Sequence, residues 1–434
     1  MTVPSETLVQ PARNVRGSIT LPGDKSISHR YAMLAAIAEG RSLLENYSTG
    51  ADCASTLDCL RTLGVKWERT GEGNHSIEVQ GSGLRLTAPT TALDCGNSGS
   101  TIRMLSGLVS GQNFSSELDG DASLSRRPMS RIITPLSAMG ASIASENGRP
   151  PLRIVGGNLK AINYAMPVAS AQVKTCLLFA ALFAEGETRI EEPHLTRDHT
   201  EVALSTFGAK LDANHKKREV RISGGQTLHG IEARIPGDLS SAAFFLCAAA
   251  LFPGSQIIIS HLLLNPTRSR LLDILMQMGL RIAVTQLEEI NGELVGALQV
   301  EGGRLKGATI AAAASAALID EIPALAAIAP YTEDGIEVRD AKELRVKESD
   351  RIAAIATNLR AMGATVEELE DGLKIPGGQK LHGSQIDSFG DHRIAMAFSI
   401  AALRAEGETL IRGSESVAIS FPGFFSTLQT LVEH

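Results

Sequence analysis

The chain has 434 residues, of which 43% are hydrophobic and 21% charged, so it is long enough for two or more domains with ordinary globular cores. A formal net charge of −7 and an aromatic content of 4% argue against nucleic acid or an anionic membrane as the main partner. The five cysteines form no Cys-x-x-Cys pair, and residues 1–17 lack the apolar core of a signal peptide. We therefore expect a reduced, cytoplasmic protein without disulfides or structural zinc. The longest apolar run, residues 242–252, is too short to span a bilayer and predicts a buried helix.

Two kinds of glycine-marked helix alternate along the chain, and together they predict a repeat. The first kind is rich in Ala and Leu and ends at glycines 40, 111, 186, 254, 335 and 407. The second kind ends Leu-x-x-φ-Gly-φ, where φ is apolar, with glycines 64, 140, 208, 279 and 363. Both sets of glycines fit helix C-caps. Five complete pairs and a degenerate sixth predict six α/β repeats of roughly seventy residues, each with two helices and intervening strands.

A second similarity divides these repeats into two groups. Residues 21–26 (Leu-Pro-Gly-Asp-Lys-Ser) resemble residues 235–240 (Ile-Pro-Gly-Asp-Leu-Ser), and three repeats lie between them. We take both stretches as crossings between domains. The predicted domains are residues 23–237, and residues 238–434 completed by residues 1–22.

The stretch from Leu21 to Arg30 is the first to suggest chemistry. Pro22-Gly23 predicts the end of a strand, and the apolar spacing that follows predicts a helix. Ser26 is the expected N-cap, which would leave backbone N–H groups for an anion, with Lys25 and Arg30 nearby. A phosphate or carboxylate site explains this group, and so does a capped surface helix with two solvated cations.

Three further stretches of the first half place polar groups before predicted helices. Residues 94–101 form a glycine-bearing turn, and residues 121–128 bring Arg127 to a helix start, where a cation opposes the helix dipole unless an anion is bound. Ser170 is a candidate cap, and the nearby Gln172 can donate and accept hydrogen bonds. A plain turn and simple capped helices remain alternatives.

The second half carries acids together with cations. Asp320 lies in an apolar setting, as either a helix cap or a general base. Lys347 and Arg351 are four residues apart, which predicts one helix face with Glu348 beside them, although a solvated charged helix is the usual explanation of such a run. Arg393 lies at another helix start. Cations thus occur at or near helix starts in five repeats, which indicates a strongly anionic ligand: Lys25, Arg30, Arg127, Lys347, Arg351 and Arg393.

With these residues in view, the chain resembles the 3-phosphoshikimate 1-carboxyvinyltransferase (EPSP synthase) family of enolpyruvyl transferases over nearly its whole length, in a form similar to class II. The stretches that carry the resemblance are residues 21–30, Gly-Asn-Ser-Gly at 96–99, Arg-Pro at 127–128, Ser-Ala-Gln at 170–172, Arg-Asp-His-Thr-Glu at 197–201, Asp-Glu at 320–321, residues 345–351 and Asp-His-Arg at 391–393.

The resemblance implies two inside-out α/β barrel domains, each of three βαβαββ repeats, with the active site between them. It implies transfer of the enolpyruvyl group from phosphoenolpyruvate to the 5-hydroxyl of shikimate 3-phosphate, with release of phosphate, in chorismate and aromatic amino acid biosynthesis. We expect a cytoplasmic monomer, and this reaction scheme requires no metal and no organic cofactor.

Family roles then fall on matching positions. Shikimate 3-phosphate would be bound by Lys25, Ser26, Arg30, Ser170, Ala171, Gln172, Asp320 and Lys347. Phosphoenolpyruvate would be bound by Lys25, Gly99, Arg127, Gln172, Arg351 and Arg393. Asp320 is the expected base for the attacking hydroxyl, and Glu348 is the leading proton donor to the methylene carbon, with Lys25 second.

Two positions depart from the family pattern, and two other functions are alternatives. Ile419 stands where many relatives carry a lysine that binds phosphoenolpyruvate, and Glu343 stands where an asparagine is common. The sister enzyme that acts on UDP-N-acetylglucosamine carries a reactive cysteine in the loop before Arg-Pro, but this loop has Ala122 and no cysteine. A non-catalytic anion-binding repeat protein would explain the cations but not Asp320 and Glu348 among them.

Overall fold

The computed structural model describes residues 3–434, apart from the side chain of Glu72, and divides into two compact units. The first unit comprises residues 23–235 and the short segment 290–293. The second unit comprises the chain up to Pro22, residues 236–289 and residues 294–434. No helix in the described part of the chain combines the length and apolar character needed to cross a membrane.

The α-helices of the described residues follow the predicted alternation along the chain, except that a short additional helix, Ala313–Ala317, precedes the first helix of the fifth repeat. Their bounds are α1 (Lys25–Ile37), α2 (Ala51–Thr62), α3 (Gly99–Ser110), α4 (Ser130–Ala138), α5 (Ala171–Ala181), α6 (His199–Thr206), α7 (Leu239–Ala250), α8 (Arg270–Gln277), α9 (Ala313–Ala317), α10 (Ile322–Ile328), α11 (Arg351–Ala361), α12 (His392–Ala402) and α13 (Phe424–Gln429).

Most strands have seven residues or fewer, whereas Gln256–Leu263, Arg281–Ile290 and Glu293–Glu301 have eight, ten and nine. Their bounds are β1 (Glu6–Val9), β2 (Asn14–Thr20), β3 (Glu39–Glu45), β4 (Lys66–Thr70), β5 (Ser76–Ser82), β6 (Leu93–Asp94), β7 (Ser115–Asp119), β8 (Ser142–Glu146), β9 (Arg149–Val155), β10 (Asn163–Ala165), β11 (Glu187–Glu191), β12 (Leu211–Asn214), β13 (Glu219–Ser223), β14 (Glu232–Arg234), β15 (Gln256–Leu263), β16 (Arg281–Ile290), β17 (Glu293–Glu301), β18 (Ala308–Ile310), β19 (Ile336–Val338), β20 (Glu367–Glu368), β21 (Leu373–Ile375), β22 (Gln385–Asp387), β23 (Thr409–Arg412) and β24 (Val432–Glu433).

Four of the six sheets in the described structure share one four-stranded connection pattern, and the three-stranded and five-stranded sheets contain its parallel pair and the adjoining antiparallel pair, which confirms the predicted six-fold repeat. In the sheet β6-β7-β9-β8, the first pair is parallel and the next two are antiparallel. The sheets β10-β11-β13-β12 and β18-β19-β21-β20 follow the same order. Strands β1 and β2 pair with β23 and β15, so the N-terminal segment completes two sheets of the second unit.

The core of each unit is built from the first helix of each repeat. In the second unit, α7, α10 and α12 contact one another, and every residue of these three helices is buried. In the first unit, α1 and α5 each pack on α3, and most of their residues are buried. Strands such as β7 and β11 alternate buried residues with exposed or partly exposed ones, so one face of each sheet covers the helices. Helices inside and sheets outside agree with the predicted inside-out α/β architecture.

The second glycine motif is a helix stop with a specific hydrogen-bond pattern. Gly64 follows α2 with a φ of +84°, and the amide of Val65 donates to the carbonyl of Leu60 at 3.0 Å. This bond is the signature of the Schellman motif, which requires a left-handed residue at the glycine position. The same bond closes the other four copies, from the residue after glycines 140, 208, 279 and 363 to the leucine five residues earlier.

The first set of glycines is only partly explained by helix capping. Gly111 is the C-cap of α3, as predicted. The cap prediction is wrong for glycines 40, 186, 254, 335 and 407, because α1, α5, α7, α10 and α12 have their C-caps at residues 38, 182, 251, 329 and 403. Gly40, for example, lies inside β3 with a φ of +91°. A glycine is needed there because the chain turns directly from the helix into the strand through a left-handed residue.

Candidate functional site

Three helix N-termini of the first unit are capped by side chains. Asp24 accepts a hydrogen bond from the amide of Ile27 at 2.9 Å, and Ser98 accepts one from Thr101 at 3.1 Å. Ser170 accepts one from Val173 at 3.4 Å, which confirms it as a cap. The prediction that Ser26 caps α1 is wrong, because Asp24 precedes it and the helix already begins at Lys25.

Lys25 is paired with a buried carboxylate. Its Nζ donates to Asp52 Oδ2 at 2.9 Å, and the Asp52 side chain is 7% exposed. Asp52 Oδ1 has no hydrogen-bond partner in the described structure. Because Asp52 is 27 residues from Lys25 in sequence, no local pattern could have revealed this pair.

Arg30 is buried and is fixed by neutral oxygen atoms. Its Nε donates to Thr200 Oγ1 at 2.7 Å, and its Nη2 donates to Thr175 Oγ1 at 2.8 Å. Its Nη1 donates to the carbonyl of Ser26 at 2.8 Å. Arg30 therefore ties the start of α1 to α5 and α6.

Gln172 connects α5 to the start of α3. Its side-chain carbonyl accepts from Arg103 Nη1 at 2.7 Å, and its NH₂ group donates to Ser100 Oγ at 2.9 Å. These bonds determine which end of the amide carries the oxygen. Arg103 was not among the residues predicted from the sequence, because it lies inside a helix rather than at its start.

Gly99 lies between two arginine side chains. A Cβ atom on Gly99 would lie 2.8 Å from Arg103 Nη1 and 3.1 Å from Arg127 Nη1. The Nη2 of Arg127 also donates to Asn97 Oδ1 at 2.7 Å. The glycine turn and Arg127, predicted as separate elements, thus form one cluster with Gln172. We call the residues of this region the first-unit cluster: Lys25, Ser26, Arg30, Gly99, Arg103, Arg127, Ser170, Ala171 and Gln172.

Arg351 is the centre of a charged cluster in the second unit. It is buried, and its guanidinium donates to Asp391 at 2.8 Å and to Glu348 at 2.6 Å. Burial alone would lower the pKa of Arg351, but the negative charges of Asp391 and Glu348 outweigh it and raise that pKa above its usual value. Arg351 Nη1 makes no hydrogen bond in the described structure and lies 3.6 Å from Asp320 Oδ1.

Asp320 brings together the remaining predicted residues of this unit. Lys347 Nζ lies 3.7 Å from Asp320 Oδ1 and 3.8 Å from Glu343 Oε1. Arg393 Nη1 donates to the backbone carbonyl of Asp320 at 2.7 Å. We call Asp320, Lys347, Glu348, Arg351, Asp391 and Arg393 the second-unit cluster.

The prediction that Lys347 and Arg351 share a helix face is wrong. Residues Lys342–Val346 form a short 3₁₀ helix, and Lys347 follows it in an extended conformation. Asp350 accepts a hydrogen bond from the amide of Ala353 at 3.0 Å, so α11 begins only at Arg351. A helix cap inside the charged run breaks the periodicity that the spacing suggested.

Asp391 belongs to the second-unit cluster, although the sequence alone predicted no role for it. It accepts from the amide of Arg393 at 2.9 Å as the cap of α12, and it holds Arg351 and Ser349 through its carboxylate oxygens. An aspartate before a predicted helix was the available signal. Among the described residues there is no group of three or more His, Cys, Asp or Glu side chains arranged to hold a metal ion.

The two clusters have the same arrangement of basic side chains and helix ends. Each joins arginine and lysine side chains to the N-terminal ends of buried helices, where backbone N–H groups and the helix dipole favour negative charge. The fold and these clusters define an α/β repeat protein equipped to bind strongly anionic small molecules.

Comparisons with known proteins identify the family. The family model of EPSP synthase (3-phosphoshikimate 1-carboxyvinyltransferase) matches residues 9–428. Curated relatives named 3-phosphoshikimate 1-carboxyvinyltransferase from Koribacter versatilis and Solibacter usitatus are 57% and 56% identical, each covering 98% of this chain and 99% of the relative. A solved EPSP synthase from Acinetobacter baumannii has a TM-score of 0.86 at 42% identity, over 98% of both chains. The chain belongs to the EPSP synthase family.

Proposed function

We propose that this chain transfers the enolpyruvyl group of phosphoenolpyruvate to the 5-hydroxyl of shikimate 3-phosphate and releases phosphate, a step in the biosynthesis of chorismate and the aromatic amino acids. The observation that carries the proposal is the family match over residues 9–428, a range that contains every residue of both clusters. The UDP-N-acetylglucosamine alternative is not favoured, because the match is to EPSP synthase.

For the first-unit cluster we propose substrate binding. Shikimate 3-phosphate would contact Lys25, Ser26, Arg30, Ser170, Ala171 and Gln172, and phosphoenolpyruvate would contact Lys25, Gly99, Arg127 and Gln172. The substrates carry two phosphates and two carboxylates, about five negative charges. Charge-assisted hydrogen bonds from fixed guanidinium groups are suited to such ligands, and the bonds that fix Gln172 and Arg30 support this role.

For the second-unit cluster we propose binding and proton transfer. Asp320 and Lys347 would contact shikimate 3-phosphate, and Arg351 and Arg393 would contact phosphoenolpyruvate. Asp320 would accept the proton of the 5-hydroxyl, and Glu348, or else Lys25, would protonate the methylene carbon. The pairing of Glu348 with Arg351 at 2.6 Å supports a fixed position for this carboxyl group.

The proposed chemistry is an addition followed by an elimination. The hydroxyl oxygen forms a bond to C2 of phosphoenolpyruvate while the methylene carbon gains a proton, which gives a tetrahedral intermediate. A proton then returns from the new methyl group to its donor, Asp320 gives the hydroxyl proton to the departing phosphate as the C–O bond breaks, and the enol ether product forms. Protonation states are restored at the end, so these steps balance without an additional reactant.

Phosphate release tests this function. We expect release from phosphoenolpyruvate with shikimate 3-phosphate as acceptor and none with the UDP-sugar. Asp320→Ala should remove most turnover while binding of shikimate 3-phosphate persists, whereas Asp273→Asn, an exposed substitution on α8, should leave turnover unchanged. If phosphate is released neither with shikimate 3-phosphate nor with the UDP-sugar, the proposed reaction is contradicted. If Asp320→Ala turns over like the wild type, Asp320 has no part in the mechanism.

We further propose that the two compact units correspond to the domains 23–237 and 238–434 plus 1–22.

We also propose that the protein works as a cytoplasmic monomer. The five cysteines are all buried and unbridged, which supports a reducing compartment. Light scattering should give a mass near 45.9 kDa. A stable multiple of that mass would contradict the monomer.

A further inference from the structure

Two buried threonine hydroxyls hold the guanidinium of Arg30. Thr175 on α5 and Thr200 on α6 are both 0% exposed, and Arg30 is 3% exposed. Thr200 Oγ1 accepts from Arg30 Nε at 2.7 Å, and Thr175 Oγ1 accepts from Arg30 Nη2 at 2.8 Å. The two hydroxyl oxygens are 2.6 Å apart and are therefore bonded to each other.

Counting protons determines the direction of every bond in this group. Each threonine has a single hydroxyl proton. Thr175 donates its proton to the backbone carbonyl of Ala171 at 2.7 Å. The proton between the two hydroxyls must therefore come from Thr200, and both oxygens keep lone pairs for the N–H groups of Arg30.

The neutrality of these partners matters for an anion site. A carboxylate in the same place would hold the guanidinium equally well, but it would also offset its positive charge and weaken attraction to an anion. Hydroxyl groups orient the side chain and leave the charge intact. Arg30 Nη1 also donates to a neutral oxygen, the carbonyl of Ser26.

The neighbouring residues hold the two threonines in place. Lys174 and Glu201, each next to one threonine in the chain, form an ion pair with a distance of 2.7 Å between α5 and α6. Thr175 is itself anchored to Ala171, a candidate ligand at the start of α5. The position of Arg30 is thus tied to the helix start that carries Ser170 and Gln172.

We propose that Thr175 and Thr200 are positioning residues that set the orientation of Arg30 for binding shikimate 3-phosphate. They act through Arg30 and do not themselves contact the substrate. This inference rests on the proposed function, because it takes Arg30 as a ligand of that substrate.

The test measures the dissociation constant of shikimate 3-phosphate by calorimetry, and KM for phosphoenolpyruvate and kcat by phosphate release. Thr175→Val and Thr200→Val keep the side-chain shape and remove the acceptor. We expect each to weaken binding of shikimate 3-phosphate about tenfold, because a charge-assisted bond is lost, and to change KM for phosphoenolpyruvate less than about twofold. Thr175→Ser and Thr200→Ser should restore binding. The control is Thr188→Val, since Thr188 is buried in the same unit and its hydroxyl has no hydrogen-bond partner in the described structure.

A double-mutant cycle separates positioning from general destabilisation. In an Arg30→Lys background, Thr200→Val should change the dissociation constant less than about twofold, because the group that it positions is gone. Valine variants that lower the melting temperature but bind shikimate 3-phosphate as tightly as the wild type would overturn the inference, and so would equal effects in both backgrounds. A wild-type protein that neither binds nor turns over shikimate 3-phosphate would instead contradict the proposed function, and this inference with it.

Discussion

Replacing the buried Lys174 should destabilise the first unit strongly. Lys174 is 1% exposed, and its Nζ lies 3.1 Å from Glu192 and 2.7 Å from Glu201, whose side chains are 5% and 8% exposed. Burial raises the pKa of Glu201, and the charge of Lys174 acts in the opposite direction. Lys174→Met would leave two buried carboxylates close together without a cation.

The expected loss at pH 7 is about 3–5 kcal/mol, the range seen when one partner of a buried ion pair is removed. Removing Lys174 also raises the pKa of Glu201 further, so the folded variant takes up a proton that its unfolded state does not hold above about pH 5. The folded state then binds more protons than the unfolded state. Stability of the variant should therefore recover as the pH falls from 8 towards 5, by up to about 1.4 kcal/mol per pH unit.

Urea unfolding followed by tryptophan fluorescence is the appropriate assay. Trp67 is the only tryptophan of the chain, and it lies on β4 of the same unit, where its Nε1 donates to the carbonyl of Leu57. Lys210→Met, an exposed change in this unit, is the control and should alter stability by less than about 0.5 kcal/mol. Adding Glu201→Gln to Lys174→Met should return part of the loss. A loss below about 1 kcal/mol for Lys174→Met, or a gap to the wild type that widens as the pH falls, would refute this electrostatic reasoning.

Three other predictions use the same protein and simple assays. Gly99→Ala would push the adjacent guanidinium groups aside by about 0.3–0.6 Å to reach ordinary contact, so KM for phosphoenolpyruvate should rise about fivefold. The control is Gly157→Ala, at an open position, which should leave that KM unchanged. An unchanged KM in Gly99→Ala would exclude a binding role for this turn. Burial, reinforced by Lys25 and Arg30, lowers the pKa of His29 well below 6.5, so the unfolded state binds the extra proton and stability should fall below about pH 6.5. His29→Asn should lessen that slope in urea unfolding at pH 5–7.5, and identical slopes would contradict the assignment. Gly140→Ala puts a Cβ on a residue with a φ of +110° and should lower the free energy of unfolding by about 1–2 kcal/mol. Gly157→Ala, the control, should cause no loss. Equal stability of the two variants would count against the helix-stop explanation.

The repeat architecture could be predicted because its signals are local. A helix stop of the form Leu-x-x-φ-Gly-φ depends on a hydrogen bond between residues five apart, such as Val65 and Leu60, and on a φ that glycine adopts without strain. Such a motif works in the same way wherever it occurs, so its recurrence is visible in the residues alone. Caps are also local, but two candidates can compete, and at α1 Asp24 rather than Ser26 is the cap.

Cations near helix starts were likewise evident in the sequence, whereas their partners were not. Lys25 meets Asp52 across 27 residues, and Arg30 meets Thr200 across 170. These contacts depend on how buried helices from different repeats pack, and side-chain periodicity says nothing about packing between distant segments. Even within one charged run, a single cap at Asp350 separated Lys347 from the helix that begins at Arg351.

The residues alone therefore determined the number of repeats, the helix stops and the positive side chains that could meet an anion, because each follows from bonds within a few residues. Tertiary structure decided which carboxylate or hydroxyl holds each of those side chains, because burial makes such partners necessary and only the packing of distant helices supplies them.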